Sequence, residues 1–518
     1  MAGSLAGLQD ALPAGRVDTD PALCAQRSED VSGTGTAVSA VIRPETAQEV
    51  ATAIAAARAA GFAILPRGGG MSYSRGYLAE DPGALSLDLT GLDRVLEIDA
   101  AGRCVTVEAG VTWAALDAAL AGTGLRTPYF GPLSGLAATI GGTLSQNGAF
   151  FGATAHGYAA DATLGLEIAD GCGVLHRIGA WGARRDRALP RFGPDLLGPF
   201  LGDCGALGIK TKAVLRLIPR PPAPLFASFA FDSDKGVLDA MLALRDIPHL
   251  AELWAFDREA HRNLARSGFS VLEAAGMAAD LAGGAGSVLG AMRTLASAAT
   301  MRRAVLSDLP WSLHAVIEPP LAELQPALAE AVKAAATAAG GRPIPDTLPR
   351  VTRARPFRSI KALIGPNGER WLPCHGVFPA GRAADGLAAI RAICPEPSED
   401  MRVSLLLAAV GDEVIVEPQL FWVDALSGFQ RSYAAPAQSA PHLAAGARPE
   451  LRASALALRK DLVAAMATAG AAHLQIGRSY RYGSDLDPGM ATVMKALKTA
   501  LDPDTVLNPG VLGLRSDP

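Results

Sequence analysis

The chain predicts an α+β protein of two domains, with the tail crossing back to the first. Three observations carry this. At 518 residues the chain exceeds what one ordinary core supports. A strand–helix–strand unit near residues 38–65 runs straight into the glycine run Gly68-Gly-Gly70. The run Pro219-Arg-Pro-Pro-Ala-Pro224 then separates a first half rich in short strands from a second half where strands alternate with alanine-rich helices.

The elements follow in order. Residues 1–34 read as an N-terminal helical segment. Val38–Ile42 reads as a strand broken by Pro44. Thr46 to Glu49 is a capping box, and the helix it opens reaches about Ala60, with Gly61 at its C′ position. Phe62–Leu65 reads as a short buried strand ended by Pro66. Strands are expected at Ala84–Leu89, Val95–Ile98 and Cys104–Glu108, the last two joined by a turn at Asp99–Gly102. A helix near Thr112–Ala121 precedes a loop rich in glycine and proline. Gly165–Ile168 and Val174–Ile178 flank Asp170-Gly171 as a hairpin, and Ile209–Ile218 is a branched strand. In the second half, Leu225–Phe231, Val403–Ala408 and Glu413–Phe421 read as strands, and a helix near Met490–Leu501 marks the tail. The alanine-rich stretch near 285–300, with Arg293, Arg302 and Arg303 in and just beyond it, reads as a soluble helix.

Composition removes several function classes. Charged residues are 19% and the apolar set 49%, with a net charge of −4, so neither disorder nor a nucleic-acid partner is implied. The six cysteines, at 24, 104, 172, 204, 374 and 394, form no CxxC pair, which leaves zinc and iron–sulfur chemistry unsupported; no metal is expected. Scattered thiols, no secretory signal and no apolar run of membrane length set the expectation of a cytoplasmic protein with no membrane partner. A homodimer is left open.

Glycine loops carry the strongest chemical signal. Pro66-Arg67-Gly68-Gly69-Gly70-Met71-Ser72-Tyr73-Ser-Arg-Gly76 can turn consecutive N–H groups into an anion nest that no side chain blocks. Thr139-Ile-Gly141-Gly142-Thr143-Leu-Ser145-Gln146-Asn147-Gly148 adds a second glycine pair with hydroxyl and amide groups, and Gly205-Ala-Leu-Gly208-Ile209 a third close-approach turn. The spacing is not GxGxxG opening a helix, nor a GxxxxGK[ST] loop.

Taken in order, PRGGGMSYSRG, TIGGTLSQNGAFFG, LGLEIADG, GDCGALGIKTKAVLRLIP and LDPDTVLNPG resemble the FAD-binding domain of the vanillyl-alcohol-oxidase and p-cresol-methylhydroxylase superfamily, over roughly residues 35–220 and 478–514. The resemblance implies a two-part FAD-binding domain at 35–220, a cap or substrate domain at 221–475, and a C-terminal segment, 476–518, that returns to the first. It places FAD against the loops above, with Pro132, Gly152 and Asn508 as further contacts. Many relatives tether FAD through a histidine where this chain has Met71, and the Pro128–Gly135 loop lacks the cysteine that gives some relatives a second tether. FAD is therefore expected to be held by contacts alone.

For the chemistry, the resemblance to the phenol-oxidising branch implies a phenolate clamp of Tyr73, Tyr480 and Arg481, since a guanidinium and two hydroxyls would ease phenol ionisation. The competing arrangement pairs Arg481 with Asp485 or Asp487 at the surface. Where that branch carries an acid this chain has Tyr158, a poor base at neutral pH. His156 and His375 are the alternatives, the latter in Trp371-Leu-Pro-Cys-His-Gly-Val-Phe-Pro379 between two strands. Arg353, Arg355 and Arg358 form a basic stretch open to a substrate carboxylate. The leading expectation is hydride transfer to flavin N5 from a para-substituted phenol or aromatic alcohol, with a D-2-hydroxy acid, or a sugar or polyol, as the alternatives. Molecular oxygen, or a protein such as a cytochrome c, would take the electrons.

Overall fold

The computed structural model describes residues 4–182, 193–266, 309–357, 363–433 and 442–514. The stretch near 285–300 and Arg358 lie outside the described residues.

Among the described residues the first half holds two larger sheets and a two-stranded pair, Leu125–Arg126 with Ile218–Pro219. Three parallel strands, Ala40–Ile42, Ala84–Asp88 and Ala63–Arg67, form one, with Val17–Asp18 added antiparallel at its edge. The helix Ala47–Ala59 makes the crossover; Thr46 accepts from the Glu49 N–H at 3.1 Å and Gly61 takes φ +73 beyond its end. The box is not reciprocal, because the Glu49 carboxylate goes to the Glu45 N–H and to Arg16. Pro66 does not stop its strand. Ala63–Arg67 is terminal in its sheet, where a residue without an N–H is tolerated. The second sheet is antiparallel, in the order Val95–Asp99, Cys104–Glu108, Ile209–Arg216, Thr163–Ala169, Leu175–Gly179. The stretch after Thr139 is a helix rather than a loop: Ile140–Gln146, with Thr139 accepting from the Gly142 N–H and Asn147 left-handed at its end, φ +49.

The second half is built on one antiparallel sheet. It runs Arg342–Pro343, Leu225–Phe231, Trp311–Ile317, Leu250–Asp257, Met401–Val410, Glu413–Trp422 and Arg370–Pro373, with Gly376–Pro379 also paired to Glu413–Trp422. Successive side chains on a strand face opposite ways. Leu405, Leu407, Val414, Val416 and Leu420 turn to one face and join the core made with Val237, Leu244, Leu387 and Leu462 of the covering helices. Ser404, Leu406, Glu417, Gln419 and Phe421 turn to the other face and look into a cleft against the first half.

The tail crosses back. Ile64 donates to Val506 O at 2.8 Å and Asn508 donates to Ile64 O at 2.8 Å, so residues 506–508 lie alongside the Ala63–Arg67 strand. In the helix Pro488–Leu501, buried Lys498 donates to Asp502 and to the carbonyls of Ala206 and Leu507, at 2.6, 2.7 and 2.8 Å. Lys498→Met would leave Asp502 buried without its cation. It should cost about 3 kcal/mol in a denaturant titration, and a loss under 1 kcal/mol would show that the cation does not anchor the tail.

Candidate functional site

Between the halves lies a cavity of about 1230 Å³, larger than the roughly 300–1,000 Å³ typical of a small-ligand pocket. Its floor is backbone. Pro66, Arg67, Gly68, Gly69, Gly70, Met71, Ser72 and Gly76 line it, as do Pro132, Gly141, Gly142, Thr143, Ser145, Gln146, Gly148, Gly205 and Ile209. Four expected contacts do not. Asn147 caps its helix and accepts from the Ala160 N–H. A Cβ on Gly152 would strike Pro128 O at 2.2 Å, and one on Gly208 would strike Ile168 at 2.6 Å, so neither position admits a side chain. The fourth, Asn508, is buried and donates to Gly76 O at 2.6 Å and Cys204 O at 2.7 Å. It joins the tail to two wall loops from behind.

The glycine run has a physical reason. A Cβ on Gly68 would meet Thr139 Oγ1 at 2.2 Å, one on Gly69 would meet Ala137 O at 1.7 Å, and Gly70 has φ +74. The first loop thus packs directly on the second. On this floor the charged liners are Arg67 and Lys210, and no carboxylate lines it among the described residues. Hydroxyls, N–H groups and two cations suit a diphosphate, so the residues present fit FAD. Arg67 donates to Glu29 O at 2.9 Å and lies 4.5 Å from the Tyr77 ring and 5.3 Å from that of Phe429. Lys210 pairs with Asp203, which also takes the Gly205 and Leu207 N–H groups.

The N-terminal segment supports the same floor, a role its sequence did not signal. Buried Asp30 accepts from Ser32 N, Gly33 N and the N–H of Arg75, which has φ +58 in the first loop. Val31 N–H reaches Ser72 O at 3.5 Å.

The roof is aromatic and carries one acid. Phe256, Trp371, Leu406 and Phe421 line it with Ser404, Glu417 and Gln419. Tyr73 rises from the floor loop to meet Trp371 edge-on at 5.8 Å. Glu417 is the only carboxylate lining the cavity among the described residues. Burial raises its pKa to about 7, against a lowering hydrogen bond from the Gln419 amide at 2.7 Å. Burial, with Glu417 and Tyr480 adding, holds the Tyr73 phenol well above its usual value.

The expected clamp does not assemble. Arg481 is 68% exposed at its side chain and pairs with Asp485 at 3.0 Å, because Tyr480 takes the inward side and its neighbour the outward one. Tyr480 is buried but outside the lining, engaged with His375: the His375 N–H donates to the phenol oxygen at 3.1 Å, and the phenol meets Nδ1 at 3.0 Å. His375 Nε2 donates to Leu474 O at 2.7 Å, so both ring nitrogens are committed and burial lowers its pKa to about 3. His375 is a buried structural residue, not a base over the cleft. Tyr158 donates to Glu413, outside the lining, and burial, then that hydrogen bond, raises its pKa. His156 is outside it too, its pKa lowered to about 4 by burial and by Arg126. Of the basic stretch, Arg353 pairs with Glu252 and Glu318, and Arg355 lines the cavity.

A family model described as an FAD binding domain matches residues 38–179. An uncharacterized FAD-linked oxidoreductase of Mycobacterium tuberculosis is 32% identical over 228 residues, 43% of this chain and 48% of that one. The D-2-hydroxyglutarate dehydrogenase of Xanthomonas citri is 30% identical over 46% of this chain and 49% of its own length. A glycolate oxidase subunit of Bacillus subtilis is 32% identical over 35% and 37%. The match spans half or less of each of these relatives. Among solved structures, the 4-ethylphenol oxidase of Gulosibacter chungangensis aligns at TM-score 0.71 and 17% identity, over 99% of this chain and 97% of that one. p-Cresol methylhydroxylase with substrate bound aligns at 0.72 and 17%, over 99% and 96%. The chain carries an FAD-binding domain and has the fold of 4-ethylphenol oxidase and p-cresol methylhydroxylase.

Asp30→Ala removes the acceptor for two turns of backbone. FAD affinity should fall about tenfold and stability by about 1–3 kcal/mol, read by fluorescence titration of the apoprotein and by denaturation; unchanged FAD affinity would separate Asp30 from the cofactor floor.

Proposed function

We propose that this chain is an FAD-dependent oxidoreductase that oxidises an aromatic alcohol, with Glu417 as the base. The observation that carries this is Glu417 itself, the only carboxylate lining the cavity among the described residues, on an aromatic wall and with its pKa raised by burial to about 7. A general base works best when its pKa lies near the operating pH. Glu417 takes the hydroxyl proton while the adjoining C–H hydrogen leaves with its electron pair, so the alcohol becomes a carbonyl. FAD, when bound, supplies the hydride acceptor at N5. Trp371, Phe421 and Phe256 hold the ring and exclude water. Phenolate stabilisation fits less well: Arg481 is on the surface, and a carboxylate beside Tyr73 opposes a second anion.

A second reading has one observation in its favour. Arg355 lines the cavity and could take a substrate carboxylate, as a 2-hydroxy acid would require. No cluster of three or more metal-ligating side chains occurs among the described residues. Anaerobic flavin bleaching distinguishes the two: benzylic alcohols should bleach the bound FAD, and bleaching by glycolate or D-lactate alone would replace the aromatic reading.

The base must be ionised, so kcat/KM should rise with pH through about 7. Glu417→Gln should lower kcat/KM about 10²–10⁴-fold and flatten that rise with FAD content intact, whereas Arg481→Ala should leave both unchanged. An unaltered pH profile in Glu417→Gln would remove the assignment.

The FAD is proposed to be non-covalent. Met71 lines the floor, and no histidine lines the cavity among the described residues. Denaturation in acid or detergent should release yellow colour into the supernatant; colour retained on the polypeptide would refute it.

A further inference from the structure

We propose that Gln419 is a positioning residue that aims the Glu417 carboxylate into the cleft and sets the pH at which it works as a base, with Ser404 fixing the Gln419 amide in turn. The inference rests on the reading of Glu417 as the base.

The placement follows from the sheet. Glu417 and Gln419 are two residues apart on Glu413–Trp422, so their side chains share the cavity face. Ser404 stands directly opposite Gln419 in the antiparallel pairing with Met401–Val410, and Leu406 opposite Glu417. Cross-strand neighbours on one face lie within side-chain reach.

The hydrogen bonds then have one consistent direction. Ser404 is fully buried, and its hydroxyl donates to Gln419 Oε1 at 3.5 Å. That leaves the amide nitrogen facing Glu417, where it donates to Oε1 at 2.7 Å. An amide offers an oxygen acceptor and a nitrogen donor, and reversing it would set its oxygen against the Glu417 carboxylate oxygen, so the Glu417 end fixes the direction and the Ser404 hydroxyl fits it as donor. The carboxylate form is the one this donor favours.

Other charged and titratable groups act less directly. Tyr73, Tyr480 and Cys374 share the region and are neutral at neutral pH, since burial raises all three. Arg459, on the helix Pro449–Thr468, directs Nε to Pro373 O at 3.2 Å and Nη2 to Tyr73 O at 3.5 Å. The lowering influence on Glu417 is the Gln419 amide, against burial. Leu406 opposite contributes only apolar wall. Gln419 is thus the group through which the sheet tunes its acid.

The test compares Gln419→Leu, Gln419→Asn, Ser404→Ala and Glu417→Gln in the FAD-loaded protein. Two readouts are taken: the pH profile of kcat/KM, and a carboxyl titration followed by infrared difference spectroscopy against Glu417→Gln, which needs no turnover. Gln419→Leu should move both midpoints up by about one pH unit, with kcat/KM at high pH within about tenfold of wild type. Ser404→Ala should move them the same way by less, because the amide is then free to turn. Gln419→Asn keeps the chemistry on a shorter stem, and a partial return toward the wild-type midpoint is expected. An unmoved midpoint in Gln419→Leu, with folding and FAD content intact, overturns the inference. If the Gln419 variants shift the infrared midpoint while the kinetic profile stays put, Gln419 tunes Glu417 as inferred and it is the reading of Glu417 as base that fails.

Discussion

A floor made of glycine has no side chains with which to hold itself. Each N–H that stays free for an anion is one fewer tie to the rest of the fold, and glycine loses more freedom on ordering than any other residue. The cost must be offset from outside the loops. Here four buried polar side chains do so. Asp30 gathers the backbone around Arg75, and Asn508 ties Gly76 to Cys204. Lys498 reaches Ala206 and Leu507, and Asp203 gathers Gly205 and Leu207 with Lys210. These come from the N-terminal segment, the tail and the middle of the chain. The return of the tail is therefore part of the cofactor floor.

The roof solves the opposite problem. A sheet packed on helices at one face and exposed to a cleft at the other must put its polar residues at alternate positions. The stretch from Glu413 to Trp422 does so: Val414, Val416 and Leu420 enter the core, while Glu417, Gln419 and Phe421 face the cleft. Tyr73 joins floor to roof through Trp371, in a small cluster with Val31, Leu363 and Phe429. Opening the cleft would expose that cluster.

Legibility in the sequence divides along the same line. The floor was readable because glycine runs, turn residues and order along the chain are local signals. Even there, Gly152 and Gly208 stand outside the cavity lining and pack where a Cβ would strike Pro128 O and Ile168, since a sequence does not say which backbone a glycine admits. Pro66 misled because edge and interior strands look alike locally. Asp30 was invisible: one carboxylate among many, given meaning only by the loop folded over it. Tyr480 and Arg481 show the limit on neighbouring residues. They are adjacent in sequence, yet one is buried against His375 and the other pairs with Asp485 in solvent. The acid at 417 did have a signal. Glu417 and Gln419 interrupt a branched, apolar strand at a spacing of two, which marks polar groups on one face of a sheet, but only pairing with 401–410 tells which face is covered.

Among the described residues, Glu417 is met by the Gln419 amide and by no ion-pairing cation. An arginine in contact with Glu417 would pull its pKa down by one to three units and leave a weak base near neutral pH. Burial alone would push it up and keep it protonated. One neutral amide sits between these limits, since it favours the anion without neutralising it. Arg459 is held by the carbonyls of Pro373 and Tyr73 and lies 5.6 Å from the Tyr480 ring. Its field reaches the phenols of Tyr73 and Tyr480, whose pKa values it lowers against burial. Arg459 thus acts on the two phenols, while the group that favours the Glu417 anion is the Gln419 amide.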